Sequence, residues 1–174
     1  MKKLTFLFIV FFITSCGTIV NYDYEKSTEF SNYKSYNYFD DMKTGLSELD
    51  TKRLIRAMDK KLKTMGLLKS DYPDFYIDIQ SQEIQSRNQS NVGIGVGGGG
   101  GHVGGGVAIG IPVGMNKQTR EIVIEFVDDS KTGMFWQAVS ESSYNPNATP
   151  EKREAQFEAL VEKIFASYPP KLEK

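Results

Sequence analysis

The chain has one cysteine, Cys16, and it closes the most apolar stretch of the sequence. Lys2 and Lys3 precede apolar residues 4–13, interrupted only by Thr5. Such a run is too short for a mature helix across a ~30 Å hydrocarbon core, which needs about 20 residues. It fits the apolar region of a secretory signal. Residues 1–15 are therefore assigned to a signal peptide and residues 16–174 to a single domain. An exported chain is free to form disulfides, but a lone cysteine has no partner. The fold must rest on its own apolar core, and 159 residues are enough to bury one.

The end of the run narrows the reading. Ile13-Thr14-Ser15-Cys16 resembles the bacterial lipobox: an aliphatic residue, two small residues and an obligatory cysteine. The resemblance implies a diacylglycerol on the Cys16 thiol, cleavage between Ser15 and Cys16, and a further acyl chain on the new amino group. The competing reading is an amino-terminal membrane span with an incidental cysteine. Two or more acyl chains anchor stably, so the mature chain is expected on a membrane without spanning it. Gly17 stands where an Asp marks inner-membrane retention in enterobacteria, which favours the outer membrane. Residues 17–21 also lack the acidic run of many surface-exposed lipoproteins, which favours a periplasm-facing position.

Charge excludes one class of partner. Loss of Lys2 and Lys3 leaves 19 basic residues of 21 against 22 acidic ones, a net charge of −3. A nucleic-acid binder shows a basic face, and none is expected here.

Hydrophobic periodicity then sets the elements. Residues 19–25 alternate, with Val20, Tyr22 and Tyr24 on one face of a strand. Residues 30–39 are aromatic-rich, and Tyr36 and Tyr38 share a face of a second strand. Aromatics at this density suit strand packing more than stacking on a sugar or peptide. Ser47 is placed to cap a helix whose apolar positions Leu54, Ile55, Met58, Leu62 and Met65 recur every three or four residues. Gly66 is placed to end it. Its basic residues Lys52, Arg53, Arg56, Lys60, Lys61 and Lys63 suggest a solvated face, or one meeting anionic lipid.

Phe75, Ile77 and Ile79 open a third strand running towards Gln85. Residues 119–127 are apolar on both sides, a central strand. Residues 134–142 return as its hairpin partner, with Trp136 and Ala138 on one face and Phe135 and Val139 on the other. Asp128 and Asp129 begin the turn between them. Thr149 and Pro150 open a last helix buried through Phe157, Leu160, Val161, Ile164 and Phe165. Pro169-Pro170 stops it.

The order of these pieces resembles a known family. After the lipobox come Tyr22-Asp23-Tyr24, then Phe30-Ser31-Asn32-Tyr33-Lys34-Ser35-Tyr36, Met65-Gly66-Leu67, Pro73-Asp74-Phe75, a glycine-rich segment, Asp128, Trp136 and Tyr168-Pro169-Pro170. This is similar to the bacterial lipoprotein family carrying domain of unknown function 4136. The resemblance covers about residues 19–170 and implies no activity, cofactor or catalytic residue.

The glycine-rich insertion, residues 91–115, holds twelve of the sixteen glycines and the only histidine, His102. Gly93-Ile94-Gly95-Val96-Gly97-Gly98 fits a dinucleotide pattern, but no helix-forming stretch comes after it, and no Lys either, as a phosphate loop requires. No nucleotide is expected. A loop or hairpin arm is, with membrane or partner contact as the alternative. One histidine and no second cysteine exclude His-based triads and ordinary zinc sites. The expectation is an α+β domain: an antiparallel sheet of about five strands, two helices packed on one face, and the glycine arm. Its role is a non-enzymatic binding or structural module. The partners are the membrane, through lipid on Cys16, and an envelope protein. The alternative is a cell-envelope hydrolase using paired carboxylates.

Overall fold

The structure, a computed structural model, describes residues 17–85, 118–130 and 133–171. Its elements are β1 (Ile19–Tyr24), β2 (Ser35–Tyr38), α1 (Glu48–Thr64), β3 (Leu68–Lys69), β4 (Phe75–Gln85), β5 (Gln118–Asp128), β6 (Gly133–Tyr144) and α2 (Pro150–Ile164). They form one sheet in the order β1-β6-β5-β4-β2-β3. Residues 91–115, where a loop or arm is expected, lie outside the described residues.

The sheet has six strands and is mixed, which corrects the expectation of about five antiparallel ones. β1, β6, β5 and β4 are antiparallel neighbours. β2 runs parallel to both β4 and β3. The reason is connectivity. A helix separates β2 from β4 and carries the chain back to its starting end, and strands joined that way run parallel. β3 has two residues, too few to show a period.

Both helices cover one face, as expected. Alternate residues Phe75, Ile77 and Ile79 of β4, and Ile122, Ile124 and Phe126 of β5, are buried. They meet Leu54, Met58 and Leu62 of α1 and Phe157, Leu160, Val161 and Ile164 of α2 in one cluster. The helix starts obey their sequence signals. Ser47 accepts from the Asp50 amide at 3.2 Å, and Thr149 accepts from the Lys152 amide at 3.4 Å. Gly66 has φ +85° beyond the end of α1. α2 gives way to a short 3-10 turn, Phe165–Ser167, before the prolines.

A bulge changes one assignment. Phe126 opposes Trp136, yet Val127 opposes Met134, so Phe135 is an extra residue in β6. Phe135 and Trp136 are thereby both 1% exposed, where alternation alone puts them on opposite faces. Phe135 stacks on Tyr33 at 4.2 Å between ring centres. Phe126 lies 4.6 Å from both Phe75 and Trp136.

Two substitutions test this packing by urea unfolding. Phe135→Ala is expected to cost about 3–5 kcal/mol, as for a buried aromatic. Gly45 has φ +71°, and a Cβ there would sit 2.4 Å from the Ser81 carbonyl oxygen. Gly45→Ala is therefore expected to cost more than about 1 kcal/mol, the ordinary scale of a left-handed strain, because the loop before α1 must also move off β4.

Candidate functional site

Ser15 and Cys16, the expected cleavage and lipidation residues, lie outside the described residues, as does His102. Beyond Cys16, Gly17 and Thr18 lead into β1, which forms one edge of the sheet. Ile19, the first residue of that edge, is 60% exposed.

The aromatic strand is core. Tyr36 and Tyr38 are buried, and both hydroxyls donate to Asp59 of α1, at 2.9 and 2.8 Å. Burial, then the Asp59 carboxylate, raises both phenols above their ordinary value. Tyr33 donates to Asp128 at 2.9 Å. Its phenol is pushed up to about 12, first by burial and then by Asp128. Asp128 is itself buried and also accepts from the Ser130 amide and hydroxyl, so it is a turn residue, as its position suggested.

The basic face of α1 meets α2. Arg56 binds Glu154 at 2.7 Å, Lys60 binds Glu158 at 3.0 Å, and Lys61 binds Glu162. Both partner series rise together in number, so the helices lie side by side in the same direction. Sequence reading missed the acidic row Glu154, Glu158, Glu162. Its four-residue spacing is one helix face, and that was the available signal.

Beneath the helix starts, one carboxylate gathers three arginines. Asp50 is 1% exposed. It binds Arg53 at 2.8 Å, Arg153 at 2.7 Å and Arg120 at 3.4 Å. Arg120 also reaches Glu83 at 2.9 Å, and its guanidinium lies 3.5 Å over the Tyr144 ring. A cavity of about 30 Å³ adjoins the cluster, room for about two waters. Among the described residues, Asp50 is the only carboxylate lining it. Both Asp50 oxygens are occupied by guanidinium groups, which never act as proton donors to substrate near neutral pH. The cluster ties α1, α2 and β5 together and is a structural lock.

The other face of the sheet carries no helix among the described residues. Asp23, Asp78, Glu121, Glu125 and Glu141 occupy alternate positions there. None of the described strand residues on that face is lysine or arginine. Asp78 lies directly opposite Glu125, and Glu121 directly opposite Glu141. Like charges directly opposite destabilise a sheet, and these four are half-buried, where water screens them less. Glutamines offset part of the cost: Gln82 donates to Glu121 at 2.6 Å, and Gln137 to Glu125 at 2.8 Å. Val123 and Val139 pair between the two acidic rows. Polar, and without a covering helix among the described residues, this face is the candidate functional surface.

The model of the family described as domain of unknown function (DUF4136) matches residues 20–170. No curated protein matches the chain. Among solved structures, a PDZ domain protein from Parabacteroides distasonis ATCC 8503 is similar, with TM-score 0.55 and 12% identity. That likeness covers 88% of this chain and 36% of the other, so the chain spans about a third of that protein's length. Two crystal forms of the PelC dodecamer from Paraburkholderia phytofirmans give TM-scores of 0.48 and 0.49 at 9% and 10% identity. They cover 86% of this chain and 95% and 96% of theirs. The first likeness is one of fold, and the PelC likenesses are too distant to carry an argument.

The polar groups differ in what their loss should cost. Asp50→Ala takes the shared buried carboxylate from Arg53, Arg120 and Arg153, of which Arg120 keeps Glu83 and Arg53 keeps Glu154. It is expected to cost about 3 kcal/mol, whereas Arg56→Ala, at an exposed pair, costs under about 1 kcal/mol; urea midpoints check both. Tyr33 holds its proton more tightly in the fold than the ordinary phenol at 10.0. Its contribution is thus full below pH 10.0 and is lost as pH rises through about 12. Urea midpoints should fall across that window, in step with phenolate absorbance.

Proposed function

The chain belongs to the family defined by domain of unknown function DUF4136, and we propose that it acts as a lipid-anchored envelope protein whose task is binding. Lipid on Cys16 holds it to the outer membrane, facing the periplasm, and the uncovered sheet face receives a protein partner bearing positive charge. One observation carries this reading. The face retains two directly opposed like-charge pairs, Asp78–Glu125 and Glu121–Glu141, at positions where opposite charges or apolar pairs stabilise a sheet. Sequences break such local rules where function requires it, and a cationic partner turns the repulsion into attraction. Separately, the chain from Cys16 to the first strand is two residues long, which supports a domain held at the surface of its membrane. Among the described residues no helix is long and apolar enough to cross a membrane.

The test is made in intact cells. Cys16→Ala is expected to abolish fatty-acid labelling and to move the protein out of the membrane fraction. A photocrosslinking residue at Val123, on the open face, is expected to capture a partner that Glu121→Gln together with Glu125→Gln loses. No capture from the open face, combined with a reproducible hydrolytic activity of the purified protein, would replace the binding role with an enzymatic one.

A further inference from the structure

The strand register gives the sheet two distinct ends, and the amino-terminal tether belongs to one of them. Ile19 is level with Glu141, Glu121 and Gln82 across four strands. Ile84 and Thr119 pair closer still to that end. The start of α1 lies there too, because Asp50 reaches Arg120 at 3.4 Å. Only Gly17 and Thr18 separate Cys16 from Ile19. Three residue steps span at most about 10 Å, so a lipid on Cys16 keeps this end at the headgroups.

The two broad faces are poor membrane surfaces. The open face has five carboxylates and, among its described residues, no cation, so anionic headgroups repel it. On the helix side, Arg56, Lys60 and Lys61 are already paired with acids of α2. What remains is the tethered end. At its margin stand exposed apolar side chains, Ile19 at 60% and Ile84 at 37% on the rim of the open face and Leu49 at 62% on the helix side. Leu68, Tyr72 and Met134 are exposed at the opposite end, so it is the short tether that selects between the two ends. Leu49 adjoins Asp50 in the first turn of α1, and so projects at the same end.

We propose that the protein stands on this end. Ile19, Leu49 and Ile84 rest at the bilayer surface, the strands rise steeply from it, and both broad faces are left free to the aqueous space. This orientation rests on lipidation of Cys16. An eleven-residue strand such as β4 is about 36 Å long at ~3.3 Å per residue. The opposite end, with Tyr72, is then far beyond the headgroups.

Cys16 is the only cysteine, and lipid occupies its thiol, so one added cysteine labels a single place in the full lipidated chain. Leu49→Cys, Tyr72→Cys, Asp78→Cys and Lys60→Cys sample the tethered end, the far end, the open face and the helix face. Each labelled protein is bound to vesicles of phosphatidylethanolamine and phosphatidylglycerol carrying a headgroup quencher, and is recovered by flotation. The Leu49 label is expected to be quenched several-fold more than the other three. If the protein floats but the Asp78, Lys60 or Tyr72 label is quenched as strongly as that at Leu49, the end-on orientation is overturned and lipidation stands. If the lipid-processed chain does not float, the anchoring reading itself fails, and the orientation with it.

Discussion

A strand can bury only one set of alternate side chains when helices cover one face of its sheet, and β5 shows how much depends on that. It lies between β4 and β6 with ten or more residues paired on each side. Its register commits Ile122, Ile124 and Phe126 to the helices. The same register commits Glu121 and Glu125 to the uncovered face, since a slip by one residue would exchange the two sets. The apolar core and the acidic surface are one decision, made by the pairing of the central strands. The bulge at Phe135 is the local exception. It adds an aromatic to the core and lets Phe30, Tyr33, Phe75 and Phe126 close around it.

Electrostatics divides the molecule into a satisfied side and an unsatisfied one. On the helix side, charges have partners. Asp50 joins α1, α2 and β5 through three arginines, and the basic row of α1 meets the acidic row of α2. Exposed pairs of that kind contribute little each, but they engage Arg56, Lys60 and Lys61, cations that a surface helix would otherwise offer to headgroups. On the sheet side, carboxylates face carboxylates with glutamines between them. The contrast within one domain is the basis of the proposed partner on that face.

Much of the fold was legible in the sequence, because local rules governed it. Ser47, Gly66, Thr149 and Pro150 mark helix ends by their own backbone chemistry. The alternation of β1, β4 and β5 matches the burial that it predicts. What stayed hidden depends on distant partners. Two residues of β3 carry no period, and the parallel pairing of β2 with β4 shows only once α1 is known to return the chain. Phe135 changes face through its register against β5. Asp50 reads as an ordinary first-turn acid of α1, yet two of its arginines come from 70 and 103 residues away. The open acidic surface was hidden for the same reason. Glu121, Glu125 and Glu141 look like the polar half of alternating strands until the register sets Glu121 against Glu141 and Glu125 against Asp78.

The central claim is that the uncovered face keeps its carboxylates at a cost to the fold. Urea unfolding of the Glu121→Gln, Glu125→Gln double variant at low salt measures that cost directly. Relief of two like-charge contacts predicts a higher midpoint at unchanged slope, a gain of roughly 0.5–2 kcal/mol, shrinking as salt is raised. An unchanged or lower midpoint at low salt would show that the acids fit the fold without strain, and nothing in the sheet would then call for a partner on that face.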